Sequence, residues 1–113
     1  MTRKLLAISA FFVLLLAIVA PMQAQATRTL QGQVVKSGDA PVSGAVVYLK
    51  NTKTLAIRTF VSDDKGNYRF ASLSPNVDYE VYAEFQGSKS DTKTLSAFDS
   101  RPTATINLKV NAG

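Results

Sequence analysis

The chain is 113 residues long, with 13 Lys and Arg against 8 Asp and Glu, a formal net charge of +5, and no Cys, His or Trp. Without Cys or His it lacks the usual ligands of zinc, iron–sulfur and haem centres, and it has neither a thiol nucleophile nor a disulfide. The commonest general base is missing too, which removes Ser–His and Cys–His catalysis, and the length suits a single domain.

Residues 1–26 read as a secretory signal. Arg3 and Lys4 form a basic head, and Leu5 to Ala20 is apolar except for Ser9. Pro21 breaks that run, and Ala24-Gln25-Ala26 supplies the small-x-small exit, with Ala24 and Ala26 as the two residues a signal peptidase must fit. An uncleaved anchor is the competing reading. Its sixteen residues, rising ~1.5 Å each, reach about 24 Å, short of a hydrocarbon core of ~30 Å. No cysteine follows the run, so a lipoprotein anchor is excluded. Cleavage after Ala26 is therefore expected. It divides the chain into a signal peptide (1–26) and a domain (27–113), secreted or periplasmic, that meets the membrane only through the signal before cleavage.

The remaining 87 residues hold eleven basic and eight acidic side chains, a net +3. The basic residues are spread along the chain rather than gathered in a stripe, so a nucleic-acid partner is not expected. Lysines scattered along strands instead suggest guarded sheet edges.

From Thr29 to Val110 the pattern has period two. Leu30, Gly32 and Val34 share one face of a first strand, and Ala45, Val47 and Leu49 share one face of a second. A third strand, about Leu55 to Ser62, is ambiguous because Ile57 and Val61 compete with Phe60 for the inner face. Tyr68 and Phe70 anchor a fourth. In the fifth, Val77, Tyr79, Val81, Ala83 and Phe85 alternate with Asp78, Glu80, Tyr82 and Glu84, an arrangement with no coherent apolar face as a helix. A sixth strand spans about Lys93 to Phe98, and Ile106, Leu108 and Val110 mark a seventh. Turn-forming clusters separate the runs, such as Ser37-Gly38-Asp39, Ser74-Pro75-Asn76 and Gln86-Gly87-Ser88. Asp63 to Asn67 superficially resembles a calcium loop. Its two Asp are adjacent rather than alternating, and Ser74 stands where a closing Glu belongs, so a hairpin turn is expected. The expected fold class is all-β: a seven-stranded antiparallel Greek-key β-sandwich preceded by a helical signal peptide.

The mature segment resembles the carboxypeptidase regulatory-like domain, a transthyretin-type (prealbumin-like) β-sandwich. The resemblance lies in Gly32-Gln33-Val34, Pro41 to Leu49, Ser62 to Phe70 and Leu73 to Tyr79. It implies a non-catalytic module of the kind that follows the catalytic domain in some metallocarboxypeptidases and is attached to surface proteins in bacteria. It also places Tyr68, Phe70, Tyr79 and Val81 in the core, with Tyr79 as a corner tyrosine bonded to nearby backbone. The transthyretin-type hydrolase of purine degradation is built on histidines, so its activity does not carry over to this chain.

No catalytic residue, cofactor or metal site is expected. The candidate ligand surface is Tyr48 and Tyr82, each opposite the core residues of its strand, with Lys50, Glu80 and Glu84 as polar neighbours. Exposed aromatic rings anchor protein partners and stack on sugars. Two readings follow: a module binding or scaffolding an envelope protein, and a carbohydrate-binding module that takes a polysaccharide through both tyrosines. Whether the two share one sheet face decides the second.

Overall fold

The structure, a computed structural model, describes residues 26–111. The expected signal helix and Ala24 lie outside the described residues, and Ala26 is exposed, just ahead of the first strand. The strands are β1 (Arg28–Lys36), β2 (Ala40–Pro41), β3 (Val46–Asn51), β4 (Ile57–Val61), β5 (Asn67–Leu73), β6 (Tyr79–Phe85), β7 (Ser88–Lys89), β8 (Lys93–Leu95), β9 (Thr103–Thr105) and β10 (Leu108–Lys109).

Two five-stranded sheets face each other across an apolar core. In the first, β1 is central, with β5 and β2 antiparallel to it and β9 and β10 parallel to it. The second runs β4-β3-β6, with β7 and β8 both paired to the far edge of β6 and every pairing antiparallel. Ten strand segments among the described residues replace the expected seven, and the two parallel pairings correct the expectation of a wholly antiparallel sandwich. The extra segments have local causes. The sixth expected strand, about Lys93 to Phe98, is the shorter β8, and β7 is a further two-residue piece at the expected Gln86-Gly87-Ser88 turn. The seventh, marked by Ile106, Leu108 and Val110, is β10 alone; β9 is a further segment ahead of Ile106, and β2 is a two-residue addition to β1.

The alternation that identified the strands also fills the core. Leu30, Val34, Val47, Leu49, Phe70, Val81, Leu108 and Val110 are all buried, each contributing about 1.5–3 kcal/mol of apolar burial. Tyr68 and Tyr79 are buried as well. The Tyr79 hydroxyl accepts the Ser74 N–H at 2.9 Å, the expected corner bond. The Tyr68 hydroxyl donates to the Ile106 carbonyl, and burial pushes its pKa far above the usual tyrosine range. That bond holds the break between β9 and β10 against β1. Gly32 lies at the same point: a Cβ there would stand 1.8 Å from the Ile106 carbonyl oxygen, so no other residue fits without moving the strand.

The turn over Asp63 to Asn67 forms as expected in its chemistry. Asp63 Oδ1 accepts the N–H groups of Lys65 and Asn67, both at 2.9 Å, and Gly66 adopts φ 77°. It is not a hairpin turn, however, because β4 and β5 belong to different sheets.

Arg28 is buried, and among the described residues no carboxylate is bonded to it. Its guanidinium donates to the carbonyls of Ser74, Val77, Ser96 and Asp99 and lies 5.8 Å from the centroid of the Tyr79 ring. One cation thereby ties the start of β1 to the loops preceding β6 and β9. Carbonyl oxygens replace its hydration, which makes the burial tolerable.

Candidate functional site

In the second sheet β3 and β6 are neighbours in register, and Tyr48 lies directly opposite Tyr82 on the face turned away from the core. Both rings are half-buried and stacked, with centroids 4.9 Å apart and planes 17° apart. Residues 34 apart in the chain thus form one aromatic unit. The Lys89 ammonium sits 4.3 Å from the Tyr82 ring centroid, over the pair from β7. Burial is the largest cause raising the Tyr48 hydroxyl pKa, followed by the Glu84 carboxylate and Tyr82. Around the pair is a shallow depression of about 260 Å³, lined also by Lys50, Glu80, Ile57 and Thr92.

Stacking limits what the pair can do. Each tyrosine spends one ring face on the other, and Lys89 occupies a position over Tyr82. The rings therefore form a compact ridge rather than two open platforms side by side.

Beside this ridge runs β4, which among the described residues has a neighbour on one side only. All five of its residues are exposed. Ile57 is 58% exposed and Val61 61%, both on the outer face with Tyr48, and Leu55, just before the strand, is 63% exposed. Phe60 and Arg58 take the inner face. The Phe60 ring meets the Phe70 ring edge-on at 6.1 Å, and Arg58 covers Phe70 and donates to the Ala71 carbonyl at 3.0 Å. The ambiguity of this strand in the sequence is thereby explained: it overhangs the edge of the sandwich, so neither face is buried.

The pairing of β4 also shows which backbone groups are spent. Asn51 donates to the Ala56 carbonyl and Ser62 donates to the Ala45 carbonyl, both in the β3–β4 register. By the alternation of an antiparallel ladder, Ala56, Arg58, Phe60 and Ser62 turn their N–H and C=O groups to β3. Ile57, Thr59 and Val61 turn theirs to the open edge. The strand carries no Lys, Asp, Glu or Pro. Sequence reasoning weighed the tyrosines and missed this edge; its signal was that same ambiguity of face.

A larger cleft, about 460 Å³, lies on the first sheet between Gln31, Gln33, Asn67, Arg69 and Asn107. Much of its polar lining is engaged within the protein: Gln33 donates to the Lys65 carbonyl, and Asn107 accepts the Gln33 N–H. At the loop between β8 and β9, Phe98 is fully exposed beside an exposed Arg101–Asp99 ion pair of 2.6 Å, which holds the Asp99 carboxyl down to about 2. Among the described residues no three His, Cys, Asp or Glu side chains gather as a metal site.

Residues 29–111 match the family model of the carboxypeptidase regulatory-like domain. The chain belongs to that family. As a member of that family it is a non-enzymatic β-sandwich domain. No protein of curated function matches the chain. The same fold recurs in BcpA, the major pilin subunit of Bacillus cereus, at 17% identity and a TM-score of 0.59 over 76% of this chain and 30% of that one. It recurs in the catechol 1,2-dioxygenase of Acinetobacter sp. ADP1 at 12% identity and a TM-score of 0.60, over 82% of this chain and 55% of that one. A dioxygenase domain from Streptomyces sp. SirexAA-E, part of a fusion with a carbohydrate-binding protein, matches at 14% identity and a TM-score of 0.58, over 84% and 86%. This chain spans less than a third of the pilin subunit's length, and identities this low carry the fold alone.

Proposed function

We propose that the protein is a secreted, non-catalytic β-sandwich that binds or scaffolds a protein partner at the bacterial cell envelope. One observation carries this reading: β4, an unguarded strand with apolar side chains and free backbone groups on the outer edge of the second sheet. Such an edge takes up an extended segment by main-chain hydrogen bonds, and the flanking side chains set the choice of partner. The signal-like residues 1–26 and the occurrence of the fold in a pilin subunit support the envelope as the place. The passage of the chain from sheet to sheet after β2, β4, β5 and β8 supports a Greek-key type of path.

Two measurements test the proposal. The mass of the exported protein is expected to correspond to a start at Thr27, whereas an intact Met1 in membranes would restore the anchor. A photo-crosslinker at Thr59 is expected to form protein adducts in intact envelopes, and one at Arg69 on the opposite sheet is not. Equal labelling at both positions, or none at either, would reject β4 as the binding edge.

The contact between Tyr48 and Tyr82 favours a second reading, a carbohydrate-binding module. The ridge they form offers less stacking area than two open rings, which ranks this reading below the first. Glycan-array binding that disappears in Tyr48→Ala and Tyr82→Ala would establish it. Silence on every polysaccharide, or a signal indifferent to both substitutions, would remove it.

A further inference from the structure

Resting on the reading of β4 as a binding edge, we propose that its partner is β4 of a second copy of this chain, paired antiparallel about a two-fold axis at Thr59. The argument comes from backbone and side chains independently. Only Ile57, Thr59 and Val61 direct N–H and C=O groups outward. In an antiparallel ladder these must be the hydrogen-bonded residues. Of the symmetric registers they permit, one pairs all three at once: Ile57 with Val61 of the other copy, Thr59 with Thr59, and Val61 with Ile57. A two-fold axis through a hydrogen-bonded pair is an isologous contact, the commonest geometry of soluble dimers.

The side chains are self-complementary in that same register. On the outer face each exposed Ile57 meets an exposed Val61, giving two β-branched apolar pairs. On the inner face each Arg58, held against Phe70 and Ala71 of its own molecule, stands opposite an uncharged Phe60 of the other copy. No like charges are directly opposed within the strands. The two copies together make one continuous sheet, with the β7–β8 edges at its ends and a Tyr48–Tyr82 ridge on either side of the axis. A contact of five residues a side lies at the small end of interface sizes, under about 1,200 Å², so the dimer is reversible and depends on concentration.

The experiment is sedimentation of the exported protein over a concentration series, with three variants. Wild type is expected to double its mass as concentration rises. Thr59→Pro removes an outward N–H and spares the ladder to β3, so it is expected to stay folded by circular dichroism and remain a monomer. Ile57→Lys combined with Val61→Lys sets like charges opposite each other and is expected to be monomeric, as is Ile57→Glu combined with Val61→Glu. Mixing the two double variants is expected to restore the dimer, because each introduced lysine then faces an introduced glutamate. A wild type that stays monomeric throughout, or a dimer unaffected by Thr59→Pro, would overturn the proposal. So would a mixture of the double variants that does not associate. If wild type is monomeric yet the Thr59 crosslinker still captures a different envelope protein, the binding edge stands and the second copy falls. If neither signal appears, both fall.

Discussion

The two edges of the second sheet are built in opposite ways. The β7–β8 edge is broken around Ser90 and carries Lys89 on the outer face, with Lys93 on the same face as Val81. The break, the short pieces and an inward-placed charge are ordinary devices that stop a strand from recruiting another chain. The β4 edge has none of them. It runs unbroken for five residues, and its one charged side chain, Arg58, is folded back onto Phe70 and Ala71 of its own molecule. One sheet thus has a finished side and an unfinished one, and the expectation that lysines guard the strand edges holds only for the first. The proposed binding edge rests on that difference.

Breaking each edge at its backbone should give the largest effects. Arg58→Pro removes an N–H directed at β3 and is expected to cost about 2–3 kcal/mol, read as a lower urea midpoint. Thr59→Pro, one residue along, loses only a solvent-facing N–H and is expected to cost under about 1 kcal/mol in the monomer. Equal losses in the two would refute the assignment of the open edge. On the finished side, the Ser90 hydroxyl accepts the Ala83 N–H at 2.8 Å and completes the ladder where the strand is interrupted. Ser90→Ala leaves that buried N–H without a partner and is expected to cost about 1–3 kcal/mol in the same assay.

A titration sharpens the comparison by probing what lies between and beneath the edges. Tyr68 and Tyr48 both have pKa values raised in the folded state, Tyr68 by burial and Tyr48 by burial and then Glu84. A raised pKa means the neutral hydroxyl is favoured in the fold. The associated stability is complete below the unfolded value of about 10 and is lost as pH rises past it. Alkaline melting should therefore fall above about pH 10, and absorbance at 295 nm should show Tyr68 ionising only as the protein unfolds. Ionisation of Tyr68 with no change in melting would contradict this. The smallest effect is Lys89→Ala, which uncovers Tyr82 and is expected to shift stability by about 0.5–1 kcal/mol.

Much of this was legible in the chain, for identifiable reasons. Period-two spacing located the main strands, because one buried face dictates which side chains alternate, and the family resemblance put Tyr68, Phe70, Tyr79 and Val81 inside. The same parity put Tyr48 and Tyr82 outside. It could not bring them together, since the register of β3 against β6 is settled across more than thirty intervening residues. The parallel pairing of β1 with β9 and β10 was hidden likewise, because hydropathy has no direction. Arg28 was missed altogether: next to a strand start it reads as a solvated cation, and only four carbonyls from separate loops turn that site into a buried one. The β4 strand was read correctly as a strand and left without a face, and that indecision was itself the mark of an edge.

The central strand of the first sheet is also the first part of the domain to leave the ribosome, while two of its hydrogen-bonding neighbours, β9 and β10, are the last. A growing polypeptide therefore cannot complete that sheet until β9 and β10 have been made. Until then β1 holds pairing positions that nothing yet fills. Trimming as few as eight residues, 103–110, would strip one whole side from β1 and leave a body with a second raw edge.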